Sequence, residues 1–311
     1  MEYVNLRENI RISRMTFGCW ELGGGQWEKQ SDDVNLQVIE QALTLGINSF
    51  DTAEGYGNGH SESILGEALA KHPRETLVIA TKVSPNHLYG VEVRRAIEQS
   101  LTRLRTDYVD VYYIHWPNRD IPLTETMAEL RRLKEEGLVR SIGLSNFSLA
   151  QMHEAMAEAP VEVIQPEYSL LSRSIESDIV PYCIAHGIAI LTYSSIAKGI
   201  LTGTYHQGQT ALPASDFRSK RRLFLPEHIQ AETPLVNAIQ TIAERRRVSM
   251  AQVAIAWLLA QPGMSSAIIG TQSAAHLQDN VKALDWQLSA EELSSLDDVS
   301  RDVLTHIDAQ V

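Results

Sequence analysis

Four polar residues stand at or just beyond the ends of apolar segments, and their types suit the transfer of a proton. Asp51 follows "INSF", Tyr56 comes five residues later, Lys82 lies within "VIATKV", and His115 ends "DVYYIH". A lysine or an aspartate inside an apolar segment needs a partner in order to be buried. We therefore expect Asp51 and Lys82 to pair, with Tyr56 and His115 beside them.

The chemistry that this group suits is protonation of an oxygen that gains negative charge. A tyrosine has an ordinary pKa of about 10, which is high for an acid that works near neutral pH. A neighbouring ammonium stabilises the phenolate, so Lys82 is expected to lower the pKa of Tyr56. Asp51 would then hold Lys82 in place, and His115 would orient the reacting oxygen through a hydrogen bond.

Two other interpretations of these residues stay open at this point. The Asp51–Lys82 pair can be purely structural, with Tyr56 and His115 as packed residues. Lys82 is also the residue type that forms a Schiff base in barrel aldolases. Polar groups at the ends of the following apolar segments favour a functional site; they are Ser145, Asn146, Gln165, Tyr193 and Ser194.

The elements that must position these residues alternate short segments rich in valine and isoleucine with amphipathic segments. This alternation is typical of βαβ units and of a parallel sheet. The eight predicted strands are Met15–Trp20, Ile47–Thr52, Thr76–Val83, Tyr108–His115, Val139–Ser145, Val163–Glu167, Ile188–Tyr193 and Ser266–Gly270. The predicted helices begin near Ser31, Ser61, Gly90, Thr124, Ser148, Ser177, Pro234 and Ser273.

Eight such units in 311 residues predict an α/β fold, a closed (β/α)8 TIM barrel that forms one domain over residues 1–311. A doubly wound open sheet is the competing fold. It usually carries a G-x-G-x-x-G loop after its first strand, and neither Gly23–Gly25 nor Gly55–Gly59 has that spacing. In a barrel, the carboxyl ends of the strands build the active site, which is where the polar residues lie.

Two further segments stand out. The connection after the seventh strand is long, and the sequence does not define the conformation of residues 199–233 within it. Loops of this length in compact domains usually have a functional role. After Ser289, an extra C-terminal helix is predicted, with Ser289 and Glu292 forming a capping box.

Composition excludes several classes of partner. The chain has 27 Lys and Arg against 39 Asp and Glu, a formal net charge of −12, which disfavours nucleic acid and anionic membranes. The basic run around Arg218, Lys220, Arg221 and Arg222 suits at most a small phosphate.

Cys19 and Cys183 outline no disulfide framework, the ten histidines form no metal motif, and the N-terminal segment has no apolar signal region. We expect a cytoplasmic protein without a metal.

Several motifs, in order along essentially the whole chain, resemble the aldo-keto reductase superfamily. "INSFDTAEGYGNGHSESILGEAL" is similar to the signature that contains Asp51 and Tyr56. "VIATKV" and "DVYYIHWP" resemble its lysine and histidine strands, and "VRSIGLSNFS" its Gly-x-Ser-Asn strand. "VIQPEYSLLSR", "YSSIAKGILTGTY" and "IIGTQSAAHLQDNVKAL" resemble the ends of its last three strands.

The resemblance implies a (β/α)8 barrel in which a nicotinamide cofactor and a small-molecule carbonyl compound exchange a hydride. It implies Tyr56 as the general acid and base, supported by Asp51, Lys82 and His115. The implied cofactor contacts are Ser145, Asn146, Gln165, Tyr193, Ser194, Lys198, Gly199, Leu201, Gly270, Gln272, Gln278 and Asn280. The expected substrate pocket lies near Trp20, Tyr89 and Trp116.

Two residues depart from the pattern of the family. Gln272 stands where many members carry an arginine on the 2′-phosphate of NADP, and glutamine supplies neither its charge nor its bidentate bonding. The resemblance therefore implies NADP(H), with NAD(H) left open. Ser195 replaces a common proline. Some relatives are regulatory subunits that keep the cofactor with little turnover, so this alternative also stays open, as does the oligomeric state.

Overall fold

The computed structural model describes residues 1–25, 30–206, 212 and 216–308. It begins with an antiparallel hairpin of two short strands, β1 (Tyr3–Asn5) and β2 (Arg11–Ser13), which the sequence pattern did not predict. Leu6, Ile10 and Ile12 of this hairpin pack against residues from inside the barrel, such as Val78 at the start of a barrel strand. The hairpin therefore closes the amino-terminal end of the barrel.

The next eight strands form a closed barrel in which every neighbouring pair is parallel, which confirms the predicted fold. They are β3 (Met15–Gly18), β4 (Ser49–Asp51), β5 (Val78–Val83), β6 (Val109–Ile114), β7 (Val139–Ser145), β8 (Val163–Gln165), β9 (Ala189–Thr192) and β10 (Met264–Gly270). The barrel closes where β10 pairs with β3, with Ala267 opposite Met15.

The described residues contain ten α-helices, most of them between consecutive barrel strands. They are α1 (Asp32–Thr44), α2 (His60–Leu69), α3 (Gly90–Leu104), α4 (Leu123–Glu135), α5 (Leu149–Met156), α6 (Ile179–His186), α7 (Pro226–Arg246), α8 (Met250–Ala260), α9 (Ala274–Val281) and α10 (Ala290–Asp308). No helix in this part of the chain is both long enough and apolar enough to cross a membrane.

Local signals in the sequence explain where several of these helices begin and end. The side chains of Ser31, Ser148 and Ser273 accept hydrogen bonds from the first turns of α1, α5 and α9, as N-caps do. Before α10, the Ser289 backbone N–H donates to Glu292 at 2.9 Å, and the Glu292 N–H donates to Ser289 Oγ at 3.2 Å. The predicted capping box and the extra C-terminal helix are thus confirmed.

The predicted helix start at Pro234 is wrong. Helix α7 begins at Pro226, in the first helical position, and continues through Pro234. A proline inside a helical pattern usually marks a boundary because it removes a backbone hydrogen bond. Here Leu235, Val236 and Ile239 are buried just beyond it, where α7 packs on α8 and α10. This packing offsets the lost bond and keeps the helix continuous.

A cluster of ionisable side chains is buried between α7 and the connection after β9. His206 Nε2 lies 3.7 Å from Glu232 Oε2, and His228 is buried on the same helix as Glu232. Neither carboxylate oxygen of Glu232 has a hydrogen-bond partner in the part of the chain that is described. Burial raises the pKa of Glu232 to about 8 and lowers the pKa of His206, so both groups are held uncharged.

This cluster predicts how stability depends on pH. Glu232 keeps its proton in the folded state up to about pH 8, whereas an unfolded glutamate loses it near its ordinary pKa of about 4.3. The folded state therefore loses stability as the pH rises through this window. Glu232→Gln should remove that loss and raise the free energy of unfolding at pH 8 by about 2 kcal/mol or more. Urea denaturation at pH 5 and pH 8 measures it.

The matched control is Glu75→Gln, at an exposed glutamate. If the Glu232 and Glu75 variants show the same change in stability between pH 5 and pH 8, the buried carboxyl is not the source of the pH dependence.

Candidate active site

A cavity of about 860 Å³ opens at the carboxyl ends of the barrel strands. This is where the active site of a (β/α)8 barrel is expected, and the volume lies within the range of small-molecule sites. The predicted site residues in its lining are Trp20, Asp51, Tyr56, His115, Trp116, Ser145, Asn146, Gln165, Tyr193, Ser194, Lys198, Gly199, Gly270 and Gln272. The barrel thus brings together residues that are far apart in the sequence.

Lys82 lies beneath this cavity with all three of its ammonium protons directed at oxygen atoms. Its Nζ donates to Asp51 Oδ1 at 2.6 Å, to the backbone oxygen of Thr52 at 2.7 Å and to the Tyr56 hydroxyl at 3.2 Å. The side chain of Lys82 is fully buried. Strand β5 places it beside the end of β4, since Asp51 pairs with Ala80 in the parallel ladder. The expected Asp51–Lys82 pair and its contact with Tyr56 are therefore present.

The second oxygen of Asp51 is also satisfied. Gln165 Nε2, at the end of β8, donates to Asp51 Oδ2 at 2.7 Å. The carboxylate is nearly buried, and such a charge is stable only when it is paired and hydrogen-bonded. Gln165 therefore completes the network that holds Lys82.

His115 is uncharged at this site. Burial and the charge of Lys82 lower its pKa to about 3. Its ring packs edge-on against the Tyr56 ring, with the centroids 5.6 Å apart. A neutral imidazole offers one N–H donor and one acceptor nitrogen, so His115 can donate to an oxygen bound beside Tyr56.

The pKa of Tyr56 does not shift in the direction expected from the sequence. Burial raises it above its ordinary value; the charge and hydrogen bond of Lys82 lower it but do not cancel the effect of burial. Asp51 and Glu21 add to the rise. The sequence shows which charge lies beside the phenol, but not how deeply the phenol is buried. The phenol consequently keeps its proton well beyond neutral pH.

Asn146 ties three strand ends together. It lies just after β7 in the left-handed region, with φ of 65°, which asparagine tolerates better than most residues. Its Nδ2 donates to the His115 backbone oxygen at 3.0 Å and to Ser145 Oγ at 2.9 Å. The Tyr193 hydroxyl donates to its Oδ1 at 2.6 Å. The Tyr193 ring is thereby fixed at the wall of the cavity.

The connection after β9 supplies the cations of the cavity. Lys198 Nζ contacts Glu167 Oε1 and Ser194 Oγ, each at 2.8 Å. Ser194 and Lys198 both have positive φ, at 56° and 54°, a costly conformation that directs them toward the cavity. Arg218 and Arg221 also line it, and Phe217 packs edge-on against Trp20 with ring centroids 5.1 Å apart.

This donor set fits a nicotinamide dinucleotide. The lining of the cavity combines the Tyr193 ring with the amides of Asn146 and Gln165, which suits a flat ring that bears a carboxamide. It also carries the cations Lys198 and Arg218, which suit phosphates.

Five predicted site residues are not among the described residues that line the cavity: Lys82, which lies beneath it, and Tyr89, Leu201, Gln278 and Asn280. Tyr89 precedes α3 and is 47% exposed, Leu201 and Asn280 are buried, and Gln278 is exposed. Conversely, the lining includes residues that the sequence analysis did not place at the site: Glu21, Glu167, Ser273 and His276. Among these, His276 had a recognisable signal, because it lies in the first turn of a helix capped by Ser273.

Comparison with known proteins gives the family. A model of the aldo/keto reductase family matches residues 14–301. The chain belongs to this family. It is therefore an NAD(P)-dependent oxidoreductase of carbonyl compounds, and the predicted family is confirmed.

Individual relatives in this family are similar over almost their whole length. The NADH-specific methylglyoxal reductase of Escherichia coli is 33% identical, over 90% of this chain and 92% of its own. A glycerol dehydrogenase from Gluconobacter oxydans superposes with a TM-score of 0.89 at 32% identity, covering 97% of this chain and 96% of its own. An aldo/keto reductase from Klebsiella pneumoniae in complex with NADP and acetate has a TM-score of 0.77 at 30% identity, with 96% and 95% covered.

The buried pair predicts a strong effect of Asp51 on stability. Asp51→Asn keeps the shape of the side chain but leaves the ammonium of Lys82 without its counter-charge. The free energy of unfolding should therefore fall by about 3–5 kcal/mol. The double variant that also carries Lys82→Met should lose less stability, because it retains no uncompensated charge. Urea denaturation checks this, with Asp298→Asn as a control at a carboxylate that is 72% exposed. Equal midpoints for Asp51→Asn and the control would contradict it.

Proposed function

We propose that this protein reduces an aldehyde or a ketone to the alcohol, reversibly, with a hydride from NADPH or NADH and a proton from Tyr56. The observation that carries the proposal is the 3.2 Å hydrogen bond from Lys82 Nζ to the Tyr56 hydroxyl at the floor of the cavity. It sets a proton donor and its supporting charge beside the groups that suit a nicotinamide ring.

Tyr56 acts in this reaction as the acid. The carbonyl oxygen gains negative charge as the hydride arrives, and a phenol within hydrogen-bond reach can donate its proton there. Because burial raises the pKa of Tyr56, the phenol is protonated before the reaction begins. Once the proton has left, the positive charge of Lys82 stabilises the phenolate, so the ammonium contributes most when the negative charge is on Tyr56.

His115 orients the substrate. Its low pKa, about 3, keeps the imidazole neutral, so it neither competes as a proton donor nor adds charge. An N–H of this ring can hold the carbonyl oxygen beside the Tyr56 hydroxyl, since the two rings are in contact. Trp20 and Trp116, which both line the cavity, are the proposed walls of the substrate pocket.

The cofactor, when bound, supplies the hydride; the protein positions it. Tyr193 is proposed to stack on the nicotinamide, with Ser145, Asn146 and Gln165 beside its carboxamide. Ser194, Lys198 and Gly199 would contact the phosphates, and Gly270 and Gln272 the adenosine end. Each of these residues lines the cavity, which supports the assignment.

Lys82 is better suited to this role than to Schiff-base chemistry. An amine must be uncharged to attack a carbonyl. Burial lowers the pKa of Lys82, but Asp51 and Tyr56 together outweigh it and raise the pKa above its ordinary value. The Lys82 ammonium therefore keeps its charge, and an aldolase mechanism would first have to break the pair with Asp51.

Replacing Tyr56 tests the proposal. Tyr56→Phe should lower kcat for carbonyl reduction by about 100- to 10,000-fold, because a positioned proton donor typically contributes that much. The Kd of the cofactor should stay unchanged. Stopped-flow or steady-state oxidation of NADPH and NADH with a panel of simple aldehydes and ketones measures it.

Tyr182→Phe is the matched control, since that hydroxyl contacts Met156 on the outer helices. A Tyr56→Phe protein as fast as the parent would rule out the proposed acid. Tight cofactor binding with negligible turnover of every carbonyl by the parent itself would favour a regulatory role.

We propose that the protein accepts NADPH and has only a weak preference between NADPH and NADH. The side chain of Gln272 lines the cavity and donates to the backbone oxygen of Glu21 at 3.1 Å, but it has no charge with which to hold a 2′-phosphate. Among the relatives, the Klebsiella protein holds NADP, and the Escherichia coli reductase is named for NADH.

Gln272→Arg should therefore tighten NADPH binding by about 10- to 100-fold, the effect of a charged hydrogen bond, and leave NADH binding unchanged. Gln272→Met, of similar length and without charge, is the control. Fluorescence titration with each cofactor measures the effect. Equal gains for NADPH and NADH would show that residue 272 does not lie at the 2′-position.

A further inference from the structure

A carboxylate that the proposed reaction does not use lies inside the cavity. Glu21 follows β3, in a 3-10 turn over Glu21–Gly23, and lines the cavity. Its carboxylate sits directly over the Cα of Gly270, at the end of β10. A β-carbon at position 270 would overlap both carboxylate oxygens. Glycine at this position is what admits the carboxylate to the cavity wall.

The surroundings of Glu21 disfavour its charged form. Burial raises the pKa of this carboxyl to about 7, against the opposing effects of its own backbone amide and of Arg218. The positive charge of Arg218 is shared between Glu21 and Asp216, because Arg218 also forms an ion pair with Asp216 at 2.6 Å. Near neutral pH, Glu21 therefore exists as a mixture of charged and uncharged forms.

Phosphates in this cavity would meet the charge of Glu21. The cations that line it are Lys198, Arg218 and Arg221, and Arg218 is the one whose charge acts on Glu21. A phosphate that binds to Arg218 lies within the range over which the negative charge of Glu21 acts. Two anions close together in a partly buried site repel each other, and protonation of the weaker acid removes the repulsion.

We propose that Glu21 takes up a proton when the dinucleotide binds, so that cofactor binding is coupled to pH through this residue. Glu21 is a cofactor-binding residue in this scheme: when it is protonated, its carboxyl becomes a hydrogen-bond donor that can face a phosphate oxygen. The inference rests on the proposed function, since it presumes that a nicotinamide dinucleotide occupies the cavity. The sign is fixed: bound phosphates favour protonated Glu21, so binding is tightest at acidic pH and weakens as the pH rises through neutrality.

Other titratable groups face the same space and must be distinguished from Glu21. Asp216 and Arg218 approach from the long connection, and His276 from the start of α9. From the barrel come Cys19, Asp51, Tyr56 and Lys82; among these, the thiol of Cys19, the phenol of Tyr56 and the ammonium of Lys82 have raised pKa values. His276 is the important competitor, because a protonated imidazole would also attract phosphates at low pH.

The test is calorimetric titration of the full-length protein with NADH between pH 6 and pH 9. NADH is the probe because it lacks the 2′-phosphate of NADPH, which itself titrates near pH 6. Repeating each titration in buffers of different ionisation enthalpy gives the number of protons taken up. We expect uptake of about half a proton near pH 7.5 and a rise in Kd of about tenfold across the range, both of which correspond to a rise of about one unit in the pKa of Glu21 on binding.

Glu21→Gln should abolish the uptake and bind NADH with a pH-independent Kd close to the wild-type value at pH 6. Glu21→Ala provides a second variant should the first fold poorly, and its melting temperature shows whether it is folded. Glu167→Gln, which removes another carboxylate of the cavity, and His276→Gln should both keep the uptake.

Each outcome is decisive. Tight NADH binding without proton uptake, or uptake that disappears in His276→Gln and persists in Glu21→Gln, overturns this inference and leaves the proposed function standing. If only NADPH binds, the proton uptake of the wild type is compared with that of Glu21→Gln. Both proteins bind the same 2′-phosphate, so its own titration cancels in the difference and the remainder tests Glu21. Binding of neither cofactor at any pH overturns the inference and the proposed function together.

Discussion

The buried ammonium of Lys82 is the constraint on which the site depends. A charge without solvent is stable only if each of its protons has an acceptor, and here three oxygens from β4 and the loop that follows it provide them. Asp51 balances the charge, and Gln165 satisfies the remaining carboxylate oxygen from the opposite side of the barrel. The position of the Tyr56 hydroxyl follows from this arrangement, since it accepts a hydrogen bond from the ammonium and belongs to a residue that lines the cavity.

Features with a local or periodic signal were predictable from the sequence. The strand Val139–Ser145 has the bounds that its apolar run indicates, and Ser148 caps the next helix as its type suggests. The juxtaposition of Asp51 and Lys82 followed from the rule that adjacent parallel strands end at the same edge of a barrel. For these residues, chain position and side-chain type were enough.

Other features depend on quantities that a sequence does not contain. The direction of the Tyr56 pKa shift depends on how completely the phenol is buried. His276 lines the cavity and Gln278 does not. Residues two positions apart in a helix point in directions that differ by about 200° around its axis. The sequence alone does not show which face of α9 is turned toward the cavity. The carboxylate of Glu21 enters the site only because a glycine on a strand about 250 residues away leaves room for it.

The closure of the barrel has a consequence for how the chain acquires its structure. Strand β10 pairs with β3, so the first and last strands of the barrel are neighbours although almost the whole chain lies between them. Contacts of such long sequence separation carry a large loss of chain entropy before they form and slow folding. During synthesis, the ribosome must release the segment around Met264–Gly270 before the ring of strands can close. Until then, the edge of β3 that β10 will cover stays unpaired, and an unpaired strand edge can pair with another chain and start aggregation.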